Sequence, residues 1–118
     1  MASYSKELLK GAADTLVLST FVDGEKYGYQ VVKELERRSE GFFALKEGTL
    51  YPILHRLEKQ GLLAAHWQTQ PNGSERRYYA LTARGERALS DKLTEWETFV
   101  HAVSRVTGSL ALDLHKAR

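Results

Sequence analysis

The chain has 118 residues, 42% of them hydrophobic and 27% charged, with a formal net charge of +2 and no cysteine. That length sets the scale of one domain, or of a small domain carrying a long terminal element. The absence of cysteine excludes disulfides, thiolate nucleophiles and Cys-type zinc sites, and no stretch approaches the roughly 20 continuous apolar residues that a membrane span needs. Met1 to Lys10 carry no basic segment followed by an apolar one, so a cytoplasmic location without membrane attachment is expected. With charge so nearly balanced, any hold on an anionic polymer must come from local clusters of Lys and Arg.

From Ser5 to Phe21 the residues Leu9, Ala12, Ala13, Leu16, Val17 and Thr20 recur at helical spacing, predicting a first helix that ends near Asp23-Gly24. A second helix is expected from about Tyr27 to Arg38, with Val31, Val32 and Leu35 inward, stopped by Ser39-Glu40-Gly41. The third runs from around Glu47 to Gly61, a glycine suited to the left-handed conformation that closes a helix, and Leu50, Ile53, Leu54 and Leu57 form its buried stripe. Pro52 is best tolerated in a first turn, so the regular part of this helix is expected to start close to Thr49. Leu62 to Thr69 and Glu75 to Leu81 are short aromatic-containing runs flanking Pro71-Asn72-Gly73-Ser74, a hairpin signal in which Asn72 and Gly73 both tolerate positive φ. Thr82 is a fair N-cap for a last helix beginning at Ala83. Along it Leu89, Leu93, Trp96, Val100 and Val103 make a heptad seam that continues through Thr107, Leu110 and Leu114, with Gly108 fraying or ending the regular part.

The resulting order, α-α-α-β-β-α, is mainly α with a β-hairpin wing, an α+β winged helix-turn-helix followed by a long C-terminal dimerisation helix. Residues 1–81 are expected to form a winged helix-turn-helix DNA-binding domain and residues 82–118 a dimerisation helix and tail. Outside the buried stripe, the third helix presents Thr49, Pro52, Arg56 and Lys59, with Gly48, Tyr51 and His55 alongside. Such a face is either solvated or, if this helix enters a major groove, a hydroxyl, an aromatic and an arginine suited to base edges and phosphates. Gly48 lets backbone come close to phosphate. In the hairpin, Arg76 and Arg77 follow Asn72-Gly73-Ser74; alternation along a strand lets at most one of the two face DNA. The same arginines on a hairpin also serve simply for solubility. Tyr78 and Tyr79 read as strand packing.

Catalytic readings find no support. His55, His66, His101 and His115 stand in no metal-ligand spacing and no Gly-rich phosphate cradle occurs, so neither enzyme activity, nor a metal, nor a cofactor is expected. The terminal seam needs a cover, either the first helix of the same chain or the equivalent helix of a second subunit. Trp96 and Phe99 lie close on that helix and serve packing or frame an aromatic-lined cavity.

Lys10-Gly11, Asp14 and Leu16-Val17-Leu18, then Tyr27-Gly28-Tyr29, then Glu47-Gly48-Thr49-Leu50-Tyr51-Pro52-Ile53-Leu54 with Arg56-Leu57-Glu58 and Gly61-Leu62, resemble the PadR family of bacterial transcriptional regulators. So do Arg77-Tyr78-Tyr79-Ala80-Leu81-Thr82 with Gly85, and Trp96 with Phe99; the match runs in order over roughly residues 5 to 100. The single C-terminal helix is similar to the compact branch of that family. The resemblance implies a winged-helix homodimer on a pseudo-palindromic operator of double-stranded DNA, usually a repressor released by a small effector, with the last helix and the first forming the dimer interface. By position it assigns Gly48, Thr49, Tyr51, Pro52 and Arg56 to the recognition helix and the stretch from Asn72 to Arg77 to the wing. Glu75 is a departure, placing an acid where the family often carries a basic run.

The expected DNA-binding residues are therefore Gly48, Thr49, Tyr51, Pro52, Arg56, Lys59, Asn72, Gly73, Arg76 and Arg77. Those expected at the dimer and effector site are Leu9, Leu16, Leu93, Trp96, Phe99, Val100 and Val103. A planar aromatic effector held between two Trp96 indoles is the expected ligand. The competing reading is a winged-helix protein-interaction module that does not bind DNA, favoured by the near-neutral charge.

Overall fold

The computed structural model describes residues 6–108, with side chains from Ala12 onward. The elements are α1 (Lys6–Ser19), β1 (Lys26–Tyr27), α2 (Gly28–Arg38), α3 (Glu47–Lys59), β2 (Leu63–Thr69), β3 (Glu75–Leu81) and α4 (Ala83–Thr107). Leu50, Ile53, Leu54 and Leu57 of α3 are all buried, and they meet Val17, Leu18 and Phe21 from the first helical segment, Val31 and Leu35 of α2, and Leu63 and Tyr79 of the sheet. A fully buried leucine contributes roughly 2 kcal/mol relative to an exposed one, so this cluster is the main driving force of the fold. Thr20 is the one polar side chain in it among the described residues, and its hydroxyl donates to the Val17 carbonyl at 2.7 Å. Leu18 and Phe21 belong to the core although the helical spacing of the first segment did not single them out. Phe21 enters because the chain tightens after α1, with Thr20 and Phe21 N–H donating to the carbonyls three residues back.

The helix-turn-helix connection is filled by side chains. Glu40 N–H reaches Arg37 O and Gly41 N–H reaches Glu36 O, the paired bonds of a Schellman ending, with Glu40 itself at φ 52°. Ser39 Oγ then accepts from Phe43 N–H at 2.8 Å, and Leu45 drops into the core. The same ending closes α3: Gly61, at φ 78°, donates to Glu58 O and Leu62 N–H to Leu57 O.

Four features differ from the sequence expectation. α1 ends at Ser19 rather than near Asp23-Gly24, the chain continuing to Gly24 in turns closed by bonds to carbonyls three residues back. The regular part of α3 starts at Glu47 rather than near Thr49, because Thr49 and Leu50 already donate to Lys46 O. Pro52 therefore sits in the second turn, where it removes only the donor that would reach Gly48 O. The hairpin is not turned by two residues of positive φ; Gly73 alone has it, at 88°. Gln70 N–H bonds Ser74 O and Gly73 N–H bonds Gln70 O, leaving a three-residue connection in which Pro71 sets the turn. Finally, the hairpin belongs to a three-stranded antiparallel sheet, ordered β1-β3-β2, with Tyr27 paired to Tyr78 and Trp67 to Arg77.

Thr82 caps α4 as expected, its hydroxyl accepting from Gly85 N–H at 2.9 Å while donating to Gly61 O at 2.7 Å. Gly85 is needed there because a Cβ would overlap the carbonyl oxygen of Leu62. These contacts lock the start of α4 onto the end of α3. Beyond Leu89 the helix leaves the body, and every residue from Ser90 to Gly108 is exposed. The molecule is accordingly elongated, 60 × 32 × 23 Å. Gly108 ends α4 in the left-handed conformation at φ 56°; Leu110 and Leu114 lie outside the described residues. No described helix is long and apolar enough to cross a membrane.

Candidate nucleic-acid interface

The buried stripe of α3 turns the remaining face outward. Gly48, Thr49, Pro52, His55, Arg56 and Lys59 are all exposed, and nothing stands within 4 Å of where a Gly48 Cβ would be. Lys46 and Lys59, at the two ends of the helix, make no ion pair among the described residues. At the wing tip Asn72 and Gly73 are exposed, with Asn72 Oδ1 accepting from Ser74 N–H at 3.0 Å and so shaping the loop. The helix face and the tip thus present two hydroxyl or amide groups, two lysines and unobstructed backbone.

Four of the residues expected at this interface have partners within the chain. Arg56 is paired with Asp14 of α1. Tyr51 lies over the first turn of α2, where a Cβ on Gly28 would come within 2.8 Å of Tyr51 Oη, and its hydroxyl donates to Glu47 Oε2 at 3.0 Å. Partial burial, reinforced by that hydrogen bond to the Glu47 carboxylate, pushes the Tyr51 phenol above its usual value. Arg77 donates to Glu58 Oε2 at 2.7 Å and spreads over the rings of Trp67 and Tyr79. Arg76, on the opposite face of β3, stacks over Tyr27 of β1 at 4.2 Å. The two arginines therefore do part to opposite faces, as strand alternation demands. Glu75 is bonded by Thr69 Oγ1 at 2.9 Å across the hairpin rather than by either arginine.

These ties connect elements that are far apart in sequence. Asp14–Arg56 joins α1 to α3, Gly28–Tyr51 joins α2 to α3, Glu58–Arg77 joins α3 to the wing, and Thr82 joins α4 to the turn after α3. Each fixes α3 relative to its surroundings, which is the preorganisation a helix needs if it is to meet a groove as a rigid body. Tyr79 is buried, and Tyr78 stacks on His66 at 6.0 Å and meets Tyr27 edge-on, so both tyrosines pack as expected.

A second feature lies on the other side of the body. A cavity of about 540 Å³ opens between α1 and α4, walled by Ala12, Thr15 and Leu16 on one side and by Leu93, Trp96 and Phe99 on the other, with Phe43 at its end. The Trp96 and Phe99 rings are 6.0 Å apart. Trp96 is 52% exposed and Phe99 59%, while Leu93, Val100 and Val103 are exposed beside them. The first helix of the same chain thus covers only the start of the seam. The Leu9 side chain lies outside those described. Among the described residues no group of three His, Asp or Glu side chains is placed to hold a metal ion.

Comparison with known proteins bears on the first of these features, the outward face of α3. Residues 17–91 match the model of the transcriptional regulator PadR-like family. The chain is 36% identical to a transcriptional regulator of Mycobacterium tuberculosis over 86 residues, 73% of this chain and 77% of that one. Among solved structures it is similar to a transcriptional regulator from Clostridium thermocellum, with a TM-score of 0.77 and 29% identity over 86% of this chain and 96% of that one. It is likewise similar to a PadR family transcriptional regulator from Eggerthella lenta, with a TM-score of 0.75 and 35% identity over 85% of each chain.

Proposed function

The chain belongs to the PadR-like family of transcriptional regulators, and from that premise we propose that it is a cytoplasmic homodimeric repressor that binds a pseudo-palindromic operator through α3 and the wing. In this division residues 1–81 contact DNA and residues 82–118 dimerise. The observation that carries the reading is the outward face of α3: exposed Gly48, Thr49, Pro52 and Lys59 on a helix held in place by ties to α1, α2, the wing and α4. Thr49 enters the major groove with the N-terminal half of the helix. Lys59 holds phosphate at its other end. Asn72 and Gly73 bring the wing tip to the flanking backbone, and Arg76 adds a cation. Tyr51, Arg56 and Arg77 act chiefly as struts, and Tyr51 and Arg56 also touch DNA from those anchored positions.

Dimerisation is proposed from the far end of the molecule. Leu93, Trp96, Val100 and Val103 form an apolar strip on a helix that its own chain leaves open, and a specific interface needs roughly 800 Å² per partner. Two copies of α4, each supported by Leu9 and Leu16 of α1, supply that surface. The cavity beside Trp96 and Phe99 then lies at the dimer centre, where a planar aromatic effector stacks and changes the spacing of the two wings, releasing the operator. Its volume of about 540 Å³ falls in the range of small-molecule sites. Titration of planar aromatic compounds into a Trp67→Phe variant, in which Trp96 is the remaining tryptophan, should quench fluorescence and lower operator affinity together.

The test of the DNA reading is equilibrium binding to duplex recovered from a random-sequence library, measured by anisotropy as a function of salt. Phosphate contacts release counterions, so affinity should fall steeply with salt. Lys59→Ala should reduce the salt slope by about 1, whereas Thr49→Ala should cost about 1–3 kcal/mol on the selected duplex and little on random DNA. Absence of duplex binding at low salt would leave the protein-interaction reading in its place.

A further inference from the structure

Trp67 belongs to neither the proposed DNA-binding residues nor the proposed dimer and effector site. It sits on β2 in the distal part of the wing, paired across the hairpin with Arg77, and is 61% exposed. It is also held: the Arg77 guanidinium lies 5.3 Å from the indole centroid and is itself anchored by Glu58 of α3. The ring thus faces a cleft of about 420 Å³ between the wing and α3, with Tyr51 and His55 on the opposite wall. When α3 occupies a major groove and a wing lies over the neighbouring backbone, the strand that separates the two grooves passes over this cleft.

The cleft is not built for phosphate. Its two arginines, Arg76 and Arg77, are matched by two carboxylates, Glu47 and Glu75; Arg77 is also paired with Glu58 and Arg76 is stacked over Tyr27. What it offers instead is a flat aromatic platform whose guanidinium backing limits its freedom, and aromatic side chains pack against the uncharged parts of nucleic acids without reading sequence. Resting on the DNA reading above, we propose that Trp67 is a DNA contact in its own right, its indole packing against a deoxyribose of the strand that crosses between α3 and the wing.

Such a contact adds affinity without releasing counterions. Trp67→Ala should weaken binding about 10-fold on selected and random duplexes alike while leaving the salt slope unchanged; Trp67→Phe, which keeps a ring, should lose about 3-fold or less. A wing that had lost its shape would instead withdraw Arg76 and Asn72 and flatten the slope. Fluorine NMR of protein carrying 5-fluorotryptophan gives one resonance each for Trp67 and Trp96, assigned with Trp67→Phe, and the Trp67 resonance should shift on saturation with duplex. Full affinity in Trp67→Ala, or an unmoved Trp67 resonance in the DNA complex, overturns the proposal and leaves the DNA reading standing. Failure of the unaltered protein to bind any duplex removes both.

Discussion

The body around α3 and the outer half of α4 are built on opposite principles. Around α3 the polar side chains that face neighbouring elements have partners: Asp14 with Arg56, Glu47 with Tyr51, Glu58 with Arg77, Thr82 with the turn after α3. No buried side-chain nitrogen or oxygen among the described residues lacks a hydrogen bond. From Ser90 onward, by contrast, an apolar seam stands largely in solvent, with only the α1 wall of the cavity beside Leu93, Trp96 and Phe99 near it among the described residues. The proposed DNA-facing surface is thus held by ties within one chain while the proposed association surface stays open, the two regions joined where Thr82 and Gly85 meet the turn after α3 and Leu89 enters the core.

The sharpest way to break this contrast is at the seam. Val100→Asp with Val103→Asp would place two carboxylates in each half of the proposed interface, and burying unpaired charge costs several kcal/mol per group. The dimer dissociation constant should rise by more than about 1,000-fold in sedimentation equilibrium, with the circular dichroism of the body retained. Next in size is Gly85→Ala. Its Cβ would overlap Leu62 backbone that cannot swing aside, so the loss should be about 3 kcal/mol in denaturant unfolding. Equal unfolding midpoints for wild type and Gly85→Ala would show that the junction between the two regions is looser than described. Thr82→Ala removes the cap of α4 and should cost about 1 kcal/mol by the same measurement.

Much of the body is legible in the sequence, for identifiable reasons. The stripe of Leu50, Ile53, Leu54 and Leu57, the closing Gly61 and the capping Thr82 are local signals, each decided within four residues. A two-residue strand such as Lys26–Tyr27 has no alternation to detect, so β1 is invisible until β3 is in place. Pro52 misleads about the start of α3 because loss of one donor in the second turn is tolerable when Lys46 O already holds the first two bonds. The exposed face of α3 reads correctly as a face, but its residues divide in a way that spacing does not reveal. Arg56 meets Asp14 across 42 residues and Arg77 meets Glu58 across 19, and nothing in periodicity pairs them. Gly28 likewise gives no sign in the sequence of the Tyr51 ring that packs against it. Trp67, one exposed aromatic in a strand, gives no signal of the cleft it lines.

The smallest effect separates strut from reader at Arg56. If this arginine touches DNA, Asp14 competes with phosphate for it, and Asp14→Asn should raise affinity about threefold. In an Arg56→Gln background the same change should do nothing, whereas a general gain from removing a surface carboxylate would persist there.

Footprinting of the intact protein on its selected duplex brings the two regions into one measurement, since only a dimer held through α4 can present two copies of α3 at a fixed separation. The account predicts an inverted repeat whose half-sites are centred about 10 bp apart, or a multiple of that, both protected at the same protein concentration. Protection of a single half-site by a monomer, or no protection at low salt, would contradict it.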